Sequence, residues 1–380
     1  MTEFVKRNKR LFMKEDKKII IPSLKIGGLE SRLPIIQGGT GVGISMSSLA
    51  SAMARAGGIG VIAAVLIGFK DQEFAKTPRE TTFRVLHEEI KKAKEASNGG
   101  PIGVNIMVAL EDYDEIVRIS AEAGADIIIS GAGLPLKLPA LLPDGVETRL
   151  VPIVSSPRAA AIIARRWYEH YRRLPDAVVV EGPLAGGHLG FKAQELNSPQ
   201  NRLEVLVPKV VDALRPYEEK AGHQIPVIAA GGIYTGQDIF NIMKLGAAGV
   251  QMGTRFVATE ECDASMEFKR AYIEATEEDV EIIISPVGMP GRALSGEFVK
   301  KAGKGEKKPR KCMFKCLKVC DFKTTPYCIG SALINAQRGN LRAGFVFCGQ
   351  NVWRVNKIVT VQALMEELEQ GYIQAASNAA

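Results

Sequence analysis

Histidine is scarce in this chain: 380 residues hold four of them, with two tryptophans and 6% aromatic residues overall. No apolar run reaches the roughly 18 residues of a membrane span. The N-terminal stretch MTEFVKRNKRLFMKEDKK is basic but lacks the apolar core of a secretory signal, which predicts a cytoplasmic protein with no membrane partner. No GxGxxG motif opens a helix with an acidic residue about twenty positions on, so a Rossmann dinucleotide site is disfavoured. The basic runs carry no interleaved aromatics, which argues against a nucleic-acid partner. Six cysteines without an export signal do not make a disulfide framework.

What is present is ordinary in amount and specific in order. Hydrophobic residues make up 46% and charged residues 24% of the chain, as in globular proteins. The net charge of +7 comes largely from the first eighteen residues and from KKAGKGEKKPRK at 300–311. Such runs read as solvated loops that can also attract an anionic cofactor or substrate.

Eight short apolar runs recur, each followed by a glycine-bearing turn: LPIIQGG (33–39), GIGVIAA (58–64), PIGVNIM (101–107), DIIISGA (126–132), LVPIVSS (150–156), DAVVVEG (176–182), PVIAAGG (226–232) and GVQMGTRF (249–256). They are nearly continuous in Val, Ile and Ala, as parallel strands covered on both faces are. Between them lie apolar positions three and four apart, such as Ile44, Leu49, Met53 and Ala56, or Leu203, Leu206 and Val210. Ser156 before Pro157 marks a helix start, and Thr235 with Asp238 resembles a capping box. Eight βα units in about 220 residues predict a (β/α)₈ TIM barrel over 33–256 rather than an open doubly wound sheet. An N-terminal arm, 1–32, precedes it. A mainly helical, cysteine-containing extension, 257–380, follows and is expected to cover the barrel.

In such barrels chemistry gathers at the C-terminal ends of the strands. Six of the eight ends present glycine or a polar amide: Gln37, Gly38, Gly39 and Thr40; Asn105; Ser130, Gly131 and Gly133; the stretch EGPLAGGHLGF with His188; Gly231 and Gly232; Gln251, Gly253 and Thr254. Glycines after the seventh and eighth strands suit a phosphate site built from backbone N–H groups.

The ordered set PIIQGGTGVG, GVNIMV, ISGAG, VVVEGPLAGGHLGF, PVIAAGGI, GAAGVQMGTRF and SPVGMPGRA resembles the nitronate monooxygenase family, formerly called 2-nitropropane dioxygenases, and its relatives the flavin-dependent enoyl-ACP reductases. The resemblance runs from about residue 33 to 294. It implies FMN on the barrel's C-terminal face, with its phosphate on the amides of Gly231, Gly232, Gly253 and Thr254, near Gln251 and Met252. It also implies that Gln37, Gly38, Gly39, Asn105, Glu181, Gly186 and Gly187 form the rest of the flavin shell, and that His188 is the catalytic histidine.

Two reactions fit this implied site. One oxidises alkyl nitronates or nitroalkanes with O2 to carbonyl compounds and nitrite. The other uses NAD(P)H to reduce the flavin and then an enoyl thioester. Glu181 stands where nitronate monooxygenases often carry glutamine and looks more like the reductase branch. A flavin or metal-binding electron-transfer module is a third reading.

Cys312, Cys316 and Cys320 are spaced by four, which would align them on one face of a helix, with Cys328 after a turn at Pro326. They are candidate ligands for an iron–sulfur or zinc site, or a stripe of buried thiols. His87, His170 and His223 fall away from strand ends and read as surface or packing residues.

Overall fold

The computed structural model describes residues 20–379. The basic N-terminal stretch, and most of the arm read from the sequence, lie outside the described residues. A hairpin of β1 (Leu24–Ile26) and β2 (Leu29–Ser31) comes first. The alternation then begins with β3 (Ile35–Gln37), α1 (Ser47–Arg55), β4 (Gly60–Ala63), α2 (Pro78–Ala96), β5 (Ile102–Met107), α3 (Tyr113–Glu122) and β6 (Ile127–Gly131). It continues with β7 (Arg149–Val154), α4 (Pro157–Tyr171), β8 (Val178–Glu181), a two-residue β9 (Gly187–His188), α5 (Leu203–Ala221), β10 (Val227–Ala230), α6 (Gly236–Lys244) and β11 (Gly249–Met252). All eight expected strands form at the runs read from the sequence, seven within them and β7 beginning one residue earlier, at Arg149.

They pair in parallel in the order β3-β11-β10-β8-β7-β6-β5-β4. The last gap narrows to a parallel bridge, Ile36 to Ile59. Gln37 reinforces it: its amide oxygen accepts the Val61 N–H at 3.0 Å, and its backbone N–H donates to the Ile59 carbonyl at 2.9 Å. The fold is therefore a TIM barrel. Both strand faces are dry. Ile36, Val61, Ile127, Ile129, Val151, Val179 and Ile228 fill the interior, where Leu24 and Ile26 of the hairpin join them. Ile35, Ile62, Val104, Ile128, Leu150, Val178 and Val180 face the outer ring of helices. Two dry faces are why the runs did not alternate with polar residues.

Two local departures matter. Between β6 and β7 the chain makes a single 3₁₀ turn, Leu138–Leu141, in place of a helix. After β11 come a one-turn α7 (Thr254–Val257), α8 (Met266–Ile273), a hairpin of β12 (Val280–Ile284) and β13 (Pro290–Leu294), α9 (Glu297–Gly303), α10 (Ile329–Gln337) and α11 (Val361–Asn378). The C-terminal region is helical but also supplies strands: β13 pairs antiparallel with β9 as well as β12. The basic run at 300–311 begins inside α9 rather than being loop throughout. The expected cysteine helix does not form. Residues 311–328 are irregular: they make isolated turns, and the middle of the segment bonds to the loop after β5, where Glu111 N–H donates to the Cys316 carbonyl and Lys318 N–H to that of Ala109. No helix among the described residues is long and apolar enough to cross a membrane.

Candidate functional site

The C-terminal strand ends enclose a cavity of about 450 Å³. Its walls include Gly38, Gly39, Asn105, Glu181, Gly186, Gly187, His188, Gly231, Gly232, Gln251, Met252, Gly253 and Thr254. Of the residues expected around the flavin, Gln37 alone is absent from the wall. Both ends of its amide are used within the barrel, the second donating to the Gly38 carbonyl at 2.6 Å. Cys316 reaches the wall; Cys312, Cys320 and Cys328 do not.

His188 owes its position to the hairpin. Beyond β8 the chain turns through the glycines and pairs with β13, placing His188 opposite Gly291. Arg292, one residue on, is buried and donates to the carbonyls of Pro183 and Ala185 at 2.6 and 2.7 Å, clamping the glycine turn from behind. The His188 Nε2 lies 2.7 Å from the Ser285 hydroxyl, which also accepts the Val287 N–H at 3.3 Å; the tautomer sets which member of the His–Ser pair donates. The Phe347 ring meets the imidazole edge-on, with centroids 5.1 Å apart. Burial lowers the proton affinity of His188 to about 4, so the ring is neutral at pH 7.

Glu181 ends β8 with its side chain at the cavity wall. Burial raises its pKa to about 8 and no cation offsets it, so it is a neutral carboxylic acid at pH 7. The cavity thus contains two titratable side chains whose environments drive them apart, both uncharged at pH 7.

The opposite wall suits an anion. Gly231 and Gly232 hold φ of +96° and +81°, where side chains are strained, as the chain turns outward from β10. Gly253 is different: a Cβ there would meet no protein atom closer than 3.8 Å. Protein packing does not demand glycine at 253, and the space on its open side is left for a ligand. The buried Oε1 of Gln251, the last residue but one of β11 on the same wall, has no hydrogen-bond partner among the described residues. A ligand carrying an N–H or O–H donor at this wall would satisfy that acceptor. Gly186 plays another part: a Cβ there would lie 2.6 Å from the Cys348 carbonyl carbon, so its glycine admits the 345–351 segment.

Sequence reading missed that segment and Ser285. Asn351 donates to the Gly232 carbonyl at 2.7 Å, and Gly349 N–H donates to the Thr254 hydroxyl at 3.0 Å, so GFVFCGQN closes the site from above. SPVGMPGRA was the available signal for Ser285: it counted toward the family resemblance, but nothing in it singled out the serine.

A model of the family described as nitronate monooxygenase matches residues 23–371. The chain is 30% identical over 286 residues to a (3aS,4S,5R,7aS)-5-hydroxy-7a-methyl-1-oxo-octahydro-1H-indene-4-carboxyl-CoA dehydrogenase of Mycobacterium tuberculosis, covering 75% of this chain and 69% of that one. It is 37% identical over 128 residues to a probable nitronate monooxygenase of Staphylococcus saprophyticus, spanning 33% of this chain and 34% of that relative. Among solved structures, FabK from Thermotoga maritima is 27% identical with a TM-score of 0.69, covering 91% of this chain and 94% of that one. A nitroalkane oxidase from Streptomyces ansochromogenes, 22% identical over 92% of this chain and 98% of its own, shares the fold with a TM-score of 0.71. The chain belongs to the nitronate monooxygenase family, and it is an oxidoreductase.

Proposed function

We propose that this chain is an FMN-dependent oxidoreductase that oxidises alkyl nitronates with O2 to carbonyl compounds and nitrite. Family membership supports FMN, and the wall fits it: Gly231, Gly232, Gly253 and Thr254 would hold the phosphate. The unpartnered Gln251 Oε1 and Asn105 would meet polar edges of the ring, beside Gly38 and Gly39. Bound there, FMN would supply the electron acceptance and the reaction with oxygen.

The observation that carries the reading is a neutral His188, held by Ser285, in the same cavity as that cradle. A neutral imidazole can take the acidic α-proton of a nitroalkane, and the imidazolium so formed stands against the negative nitro oxygens. For a substrate that is already a nitronate, His188 need only donate a hydrogen bond. Protonated Glu181 donates one too, as glutamine in that place would. Departure from glutamine therefore leaves the donor in place below about pH 8.

A second reading, NAD(P)H-dependent reduction of an enoyl thioester, is favoured by one observation: among the described residues the walls carry no Lys or Arg, and the uncharged enoyl group that reacts needs none. The likeness to a CoA dehydrogenase agrees with a thioester. Oxygen uptake with ethyl nitronate in the absence of NADH supports the first reading. Anaerobic bleaching of the flavin by NADH, followed by reoxidation with crotonyl-CoA and no oxygen uptake with nitronate, replaces it by the second. A purified chain that takes up no FMN overturns both.

A further inference from the structure

The four clustered cysteines are not explained by the cavity. We propose that Cys312, Cys316, Cys320 and Cys328 bind a [4Fe–4S] cluster on the outer side of the cavity wall.

The geometry points there in several independent ways. The thiol of Cys316 lies within electrostatic reach of the thiols of Cys328, Cys312 and Cys320, and the thiol of Cys320 within reach of those of Cys312 and Cys328. None is spent in a disulfide. The loop that gathers them is ordered by its neighbours: Leu317 bridges Leu110, and Lys318 Nζ donates to the Val108 carbonyl at 3.2 Å. Lys315 turns at φ +46°, and its N–H donates to the Cys312 sulfur at 3.3 Å. Backbone N–H groups aimed at cysteine sulfur stabilise thiolate ligands and tune clusters. Cys328 sits at the N-cap of α10, which fixes it at the end of the irregular segment that carries the other three.

The choice of cluster over a single ion follows from spread and ligand type. Among the described residues no three His, Cys, Asp or Glu side chains converge as one zinc ion requires. A cubane carries an iron at each of four corners, so its thiolates stand farther apart and still form one set. Four cysteines with no histidine match its ligands. Cys316 borders the cavity, so one corner of the cluster would lie against its wall.

The site does not depend on the flavin reading, and the test separates them. The full chain is purified anaerobically, or reconstituted with ferrous iron and sulfide, beside Cys316→Ser and Cys312→Ser. Iron, acid-labile sulfide, zinc and released flavin are each measured, with electron paramagnetic resonance after dithionite reduction. About four iron and four sulfide per chain are expected, with a reduced-cluster signal in the wild type that is lost in both variants while their thermal melting stays cooperative. Cys312 is exposed, so its serine variant keeps the fold if Cys316→Ser does not. No iron and sulfide in the wild type, one zinc without sulfide, or an unchanged cluster in Cys312→Ser each overturns the proposal. Iron and sulfide in a chain that takes up no flavin would uphold it and sink the FMN reading instead.

Discussion

At the residue scale, Glu181 and His188 make the site sensitive to pH in opposite directions. Burial raises Glu181 from 4.5 to about 8. Below pH 4.5 it is neutral whether the chain is folded or unfolded. As pH rises from there, the unfolded chain ionises first, so the stability present in acid is lost through about pH 8. Glu181→Gln removes that loss and should raise stability at pH 8.5 by on the order of 2–4 kcal/mol, with little change at pH 4.5, measured by urea unfolding. The same variant tests the donor role. Wild-type kcat/KM on a nitronate should fall as pH rises through about 8, where a carboxylate would repel the anion. In Glu181→Gln the profile should stay level; a fall at the same pH in both would remove Glu181 from substrate binding. His188→Asn should keep flavin but lose most activity on neutral nitroalkanes, while retaining much of it on preformed nitronates. Equal loss on both would end its role as a carbon base. His188 was legible because a rare residue followed a buried strand among glycines. Ser285 was not, because it lies 97 residues away and meets the imidazole only through the β9–β13 pairing.

At the scale of elements, local chemistry was legible and remote chemistry was not. The Ser156 cap and the Thr235–Asp238 box form as read, with Ser156 Oγ accepting the Ala159 N–H at 3.2 Å and Asp238 accepting the Thr235 N–H at 2.8 Å. Helix α1 shows the contrast. Its N-cap, Met46, has no side-chain acceptor to offer. Asp263, from the segment after the barrel, instead accepts the Met46 N–H at 2.9 Å. Asp263→Ala should therefore lower stability by about 1 kcal/mol, the usual cost of losing a cap. A chemical denaturation midpoint shifted no more than that of an exposed-site control would show that water replaces it. The cysteine helix failed for a related reason. Spacing by four satisfies a helical face, but spacing says nothing of where the backbone groups bond, and these bond to the turn after β5.

At the scale of the whole molecule, the barrel is completed by the end of the chain. Parallel strands need cover on both faces, so the eighth strand calls for a helix beside α6 and α1. The short α7 is too small to provide it. Helix α11, after an excursion of about a hundred residues that builds the roof of the site, returns to fill the place. It fits closely there. A Cβ on Gly236 would strike the α11 backbone, Phe240 meets Tyr372 edge-on with centroids 5.6 Å apart, and Arg255 pairs with Glu367 at 2.9 Å. The sequence shows the eight strands plainly, since each is a local run. It cannot show that the eighth helix lies beyond the inserted segment, since that depends on which buried faces meet. The consequence is measurable. Val361, Leu364, Met365, Leu368 and Tyr372 are all buried. At about 2 kcal/mol for each side chain, their removal withdraws on the order of 10 kcal/mol, comparable to the roughly 5–15 kcal/mol that holds a typical domain together. A chain ending at residue 360 should therefore lose the near-ultraviolet dichroism of a packed core and show no cooperative thermal transition. If it melted cooperatively and still took up flavin, α11 would be an appendage and the barrel would be complete without it.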